Sequence, residues 1–163
     1  PRPPTSTAFL HTTLCVSGEF FRWGEGTGWT RLGPIHESTR TYSLAIYQGR
    51  LNVGTWPTGS VYQFDGPQQW THRGRLGQEK EVMGMSVYNG KLYAGTLPFA
   101  DVYRYEGETQ WVTMGRLDHT PDVRYRRGGG MAVFPGGPCR SDARGGGERR
   151  RMRCSSALQK TNT

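Results

Sequence analysis

His11, His36, His72 and His119 are the first residues to test for chemistry. A metal centre or an acid–base pair needs its donors at ligand-like spacings, and no two of these share one. His72 stands on a strand where the neighbouring repeats carry Arg31 and Thr113, so it reads as a surface or inter-repeat residue. Cys15, Cys139 and Cys154 are an odd set without metal-type spacing, which argues against a disulfide framework and against zinc. No cofactor and no metal is expected. Arg22, Gln63 and Arg104 recur at one repeat position. A site that grips a carboxylate would want several arginines converging beside a tyrosine nucleophile, whereas equivalent repeat positions in a rotational array point outward. Glu79, Lys80 and Glu81 form a charge run in a loop, read as a solvated face. There is no Ser-His-Asp order, no pair of catalytic carboxylates and no phosphate loop. Recognition remains. Trp56, Thr58, Phe99 and Asp101 sit in two corresponding loops, beside His36, Glu37, Lys80 and Glu81. Aromatic rings beside polar groups on a rigid scaffold suit stacking on a sugar or a peptide. The competing reading has Trp56 and Phe99 folding back to fill the gap between repeats.

The scaffold is a repeat. "YQGRLNVGTWPTGSVYQFDGPQQW", Tyr47 to Trp70, returns 41 residues later as "YNGKLYAGTLPFADVYRYEGETQW", Tyr88 to Trp111. A weaker copy places Phe21, Trp23, Trp29 and Gly33 at the same offset before Tyr62, Phe64, Trp70 and Gly74. "MAVFPG", Met131 to Gly136, resembles "MSVYNG" but arrives five residues late. A fixed period of this size marks a repeat architecture.

Each copy divides into four short strands. In the central copy they are Thr41 to Tyr47, Arg50 to Thr55, Ser60 to Asp65 and Gln69 to Gly74. Leu44 and Ile46 share a face, as do Leu51 and Val53, and Tyr62 and Phe64, which is the period-two alternation of a sheet. Asn89-Gly90 and Gln48-Gly49 fit a tight I′ hairpin between the first and second strands. Asp65-Gly66 and Glu106-Gly107 are expected to turn the third strand into the fourth. Pro57 and Pro98 stop the ladder between the second and third. The unit is a four-stranded antiparallel meander whose Tyr, Phe and Trp positions suit packing on the next unit.

"LNVGT", "LYAGT", "VYQFDG", "VYRYEG" and the Trp that follows resemble the repeats of kelch-like β-propellers. The resemblance covers roughly residues 8–136. Gly54-Thr55 and Gly95-Thr96 stand where kelch repeats carry a Gly-Gly pair. Asp65, five residues before Trp70, is similar to the Asp-box turn of sialidase-like propellers, but its Gly is displaced by one and Glu106 replaces Asp in the next copy. The resemblance implies an all-β fold of propeller blades at 1–41, 42–82 and 83–123, with a fourth begun over 124–136. Propellers usually close with four to eight blades. The chain begins at Pro1 rather than Met, and the fourth repeat breaks off, so a fragment of a longer propeller is expected. The other readings are two chains closing a six-bladed ring, and an open stack.

Residues 1–123 carry eleven basic and eleven acidic side chains, so the net charge of +8 lies entirely in 124–163. Residues 137–163 are rich in Arg and Gly and poor in apolar residues, which reads as a disordered tail. Its RGG-like pieces lack the stacking aromatics that accompany RNA binding, so nucleic acid is not the expected partner. No apolar run is long enough to cross a membrane. The expected function is a non-catalytic binding or scaffolding propeller that contacts protein or carbohydrate through its loop face. The alternative is a fragment of a glycan-active propeller enzyme whose catalytic residues lie outside this chain.

Overall fold

The computed structural model describes residues 10–13, 18–35, 37–134 and 137–139. The fold is all-β, with no helix among the described residues. The first sheet has three strands, β1 (Leu10–Thr13), β2 (Glu19–Gly24) and β3 (Gly28–Pro34). The second has four, β4 (Arg40–Tyr47), β5 (Arg50–Trp56), β6 (Ser60–Gly66) and β7 (Gln69–Arg75). The third has β8 (Glu81–Tyr88), β9 (Lys91–Leu97), β10 (Asp101–Gly107) and β11 (Gln110–Arg116). A short hairpin follows, β12 (Ala132–Phe134) with β13 (Gly137–Cys139). Every sheet is an antiparallel meander in chain order, and none closes on itself. β13 opens the stretch read from sequence as a tail, and residues 140–163 of that stretch lie outside the described residues.

The turn chemistry explains the hairpins. Gln48-Gly49 and Asn89-Gly90 both have positive φ at each residue, as a I′ turn needs. The second turn differs from expectation. Gly66 pairs with Gln69 and Gly107 with Gln110, so both glycines end their strands. Pro67-Gln68 and Glu108-Thr109 make the turns, with Gln68 and Glu108 supplying the left-handed φ. Bulges repeat with the same period, between Thr41 and Ser43 and again between Val82 and Gly84. Trp56-Pro57 and Leu97-Pro98 are cis peptides at corresponding places.

The sheets stack face to face. Phe20, Leu32 and Ile35 of the first sheet and its connector pack on Val53, Leu51, Tyr62, Phe64 and Trp70 of the second. One period later, Val61, Leu76, Ala45 and Tyr47 pack on Met85, Leu92, Ala94, Tyr103, Tyr105 and Trp111. The aromatic positions therefore do lie between units. Each sheet is too thin to bury two apolar faces alone, so the stack is the hydrophobic core. The first sheet has no counterpart of β4 among the described residues. Leu44 and Ile46 are consequently 41% and 63% exposed, although Met85 in the corresponding place is 7% exposed.

Close approach accounts for two sets of glycines. Gly54 lies under Val82 and Ser43, and a Cβ there would overlap both. Gly18 and Gly59, at φ 64° and 60°, lie against the carbonyl oxygens of Ser38 and Glu79, which leave no room for a Cβ. The third sheet carries Ala100 in that place at φ 57°. Gly18 accepts from Ile35, Gly59 from Leu76 and Ala100 from Leu117, so one backbone latch closes the outer end of each unit.

The two interfaces differ at one indole. Trp111 Nε1 donates to the Arg73 carbonyl at 2.7 Å. The corresponding Leu32 carbonyl is taken by the Gln68 amide at 2.9 Å, and the buried Trp70 Nε1 has no partner. Trp111→Phe is therefore expected to lose more stability than Trp70→Phe, by about 1 kcal/mol, the net worth of a hydrogen bond. Urea unfolding of the two variants measures the difference, and equal losses would refute it.

Candidate functional site

The connections between second and third strands and the connectors between sheets meet at one end of the stack, as the loop reading expects. The Gly59 amide donates to Lys80 at 3.0 Å, and the Phe99 amide donates to the Glu79 carboxylate Oε2 at 3.3 Å. Trp56 ends β5 opposite Arg40, whose guanidinium lies over its ring at 5.3 Å. Thr58 shares a hydrogen bond with the Thr55 hydroxyl at 3.1 Å, and Thr55 also donates to the Ser60 carbonyl. Phe99 lies under the Arg116 guanidinium at 4.9 Å. Asp101 receives that same guanidinium through two bonds, Nε at 2.8 Å and Nη2 at 3.3 Å. Phe99 and Asp101 are thus joined through one cation. All four predicted residues are half-buried, so the rings lie on the surface without standing free of it. His36 lies outside the described residues.

Of the charge run at 79–81 only Lys80 is solvated. Glu79 is fully buried and Glu81 is 7% exposed. Their connector folds inward because the Gly59 latch and the Phe99 amide draw it under the loop. Burial lifts the Glu79 carboxyl above the ordinary carboxylate range, against the hydrogen bond from Thr96 and the Phe99 amide. Its Oε1 has no protein partner. Burial likewise raises Glu81, against the Tyr42 hydroxyl and the charges of Arg127 and Arg40. Burial also lifts the Tyr103 phenol, aided by the charges of Asp101 and Glu79.

Glu79 lies within reach of the Arg116 charge and Glu81 within reach of the Arg40 charge, two associations that no sequence motif joins. A signal was present for two of these residues. Arg40 and Glu81 occupy the same repeat position with opposite charge, and Arg127 follows once the five-residue lag of the fourth copy is allowed. Arg40 on β4, Glu81 on β8 and Arg127 ahead of β12 therefore alternate in sign, which suits neighbours packed side by side. Ser38 replaces Glu79 and Thr58 replaces Phe99 in the preceding unit, so the ionic cluster belongs to the third sheet's end alone among the described units.

The other candidates stay apart from this end. His72 is exposed, with its ring 5.1 Å from Tyr62. Arg104 pairs with Glu106 on its own strand. Asp65, the residue similar to an Asp-box acid, accepts from Thr71 at 2.5 Å and Gln63 at 2.6 Å, and these bonds hold its carboxyl below the usual range. No metal-sized group of His, Cys, Asp and Glu occurs among the described residues. No described helix is long and apolar enough to cross a membrane. No protein-family model matches the chain, and no curated protein matches it.

Proposed function

We propose that the three sheets are blades of a kelch-like β-propeller array and that the chain works by binding. The ligand, a protein or a glycan, is held on the loop end by Trp56, Thr58, Phe99 and Asp101. One observation carries this reading: Arg116 fixes Phe99 and Asp101 together, so an aromatic ring and an ion pair are set in place before any ligand arrives. A pre-ordered contact surface binds with less loss of side-chain freedom. The same observation counts against chemistry at this end. A carboxylate clamped by a bidentate arginine is a poor base, and Glu79 beside it is sealed from solvent. Stacked units supply the rigid support that such a surface needs.

The test uses the full chain on immobilised glycans and peptides. Trp56→Ala and Phe99→Ala are each expected to weaken a retained ligand about tenfold or more, the loss typical of an aromatic anchor. Gln48→Ala, in the hairpin turn at the other end of the strands, is the control and should change nothing. Failure to retain any ligand, or equal weakening by Gln48→Ala, would overturn the reading.

A further inference from the structure

Each internal interface joins two unlike faces. The face turned toward the preceding sheet carries Phe64 and Trp70 in the second sheet and Tyr105 and Trp111 in the third. Their ring centroids lie 5.1 Å apart in both sheets. The face turned toward the following sheet carries Phe20, Leu32 and Ile35 in the first, and Val61 and Leu76 in the second. Repeat spacing identifies the same two faces at the ends of the stack. The first sheet presents Trp23 and Trp29, 5.4 Å apart and 41% and 51% exposed. The third presents Val102, Met114 and Leu117. Met114 is 49% exposed where Leu32 is 1%, and Leu117 is 37% exposed where Leu76 is 0%. A groove of about 280 Å³ opens on this face, between Ser86, Tyr88, Tyr93 and the segment from Gly128 to Val133.

We infer that a second copy of this chain docks head to tail in that groove, laying its Trp23 and Trp29 on Val102, Met114 and Leu117. The template is the pair of interfaces already present, in which the same aromatic pair seats on the same apolar positions. Shape supports the choice of occupant. β12 packs along β8 as β8 packs along β4, so it fills the first-strand place on the third sheet's free face. The first sheet lacks a first strand among the described residues, so its copy can approach without displacing β12. The second copy's β1, paired with its β2, comes to the second-strand place beside β12, so docking requires β13 to move aside. In this arrangement β12 also comes to lie over the second copy's Leu44 and Ile46. Made twice, the heterologous contact closes two chains into a ring and covers the exposed apolar residues at both ends of each stack, which an isologous contact between like faces would leave half uncovered.

The experiment is the light-scattering mass of the full 18.3 kDa chain after size exclusion, over a range of concentrations. A mass of two chains is expected. Trp29→Arg and Leu117→Arg are each expected to return a single-chain mass, because each spoils one of the two faces. An equimolar mixture of the two variants should regain the two-chain mass, since one intact face of each kind remains. Met114→Arg repeats the second arm at another exposed site, and unchanged far-ultraviolet circular dichroism with cooperative urea unfolding establishes that the variants are folded. A single-chain mass for the unaltered protein at every concentration would overturn the inference. So would a two-chain mass that survives Leu117→Arg, or a mixture that stays single-chain.

Discussion

Phe20→Ala is expected to remove about 3–5 kcal/mol of stability, the range for truncating a fully buried aromatic residue. Phe20 is 0% exposed and lies at the centre of the first interface. Its ring meets Trp70 edge-on at 5.1 Å, Phe64 at 5.9 Å and His11 at 5.5 Å. Each of these contacts crosses to a different strand, and two of them cross to the next sheet. Truncation therefore opens a cavity between sheets, where neither meander can collapse without breaking its own ladder. Chemical denaturation read by tryptophan fluorescence measures the loss. A cost below about 1 kcal/mol would mean that the first sheet is not packed as described.

The second large effect is a pH dependence centred on Glu79. Burial raises its folded pKa above the ordinary value of 4.5, so the folded state holds this proton to higher pH than the unfolded chain does. Its stabilising contribution is complete below 4.5 and is lost as pH rises through the folded value. Glu79→Gln keeps the shape without the charge. The variant should match the unaltered protein in acid and exceed it in stability above the folded pKa. Glu81 is raised by burial as well and contributes a limb of the same sign. Asp65 and Glu106 are lowered by their hydrogen-bond and ionic partners, and their contributions are lost as pH falls. All three are common to both proteins and cancel in the difference. Glu79→Ala behaves differently, because it leaves the Phe99 amide without its acceptor and is expected to cost about 1–3 kcal/mol. Melting temperatures of the three proteins across the acid and neutral range give the comparison. Parallel curves for Glu79 and its glutamine variant would contradict it.

Much of the fold could be read from the 41-residue period. Strand positions, the Asn89-Gly90 turn and the inter-unit role of Tyr62, Phe64 and Trp70 all follow from alternation and turn chemistry, which are local signals. The turn after β6 differs because Asp65-Gly66 looks like a turn, yet the bulge between Phe64 and Gly66 carries the strand one step further. The burial of Glu79 is hidden for a different reason. A Glu-Lys-Glu run is polar in sequence, and only the latch on Gly59 and the Phe99 amide, both distant in sequence, draw it inside. The clamp of Arg116 on Phe99 and Asp101 was likewise invisible, since it depends on the cross-strand register that pairs Asp101 with Arg116. The candidate loop residues were found individually, and their linkage was not.

The sheets form one stack held by two corresponding interfaces. The most direct test of the stack is the urea unfolding of the full chain beside Phe20→Ala, which weakens the first interface, and Leu76→Ala, which weakens the second. Leu76 is 0% exposed, so its truncation is expected to cost about 2–5 kcal/mol. Stacking requires a single transition in all three proteins, displaced by either substitution, with losses that add in the double variant within about 0.5 kcal/mol. Two separate transitions, one moved only by Phe20→Ala and the other only by Leu76→Ala, would show sheets that fold independently and would contradict the stack.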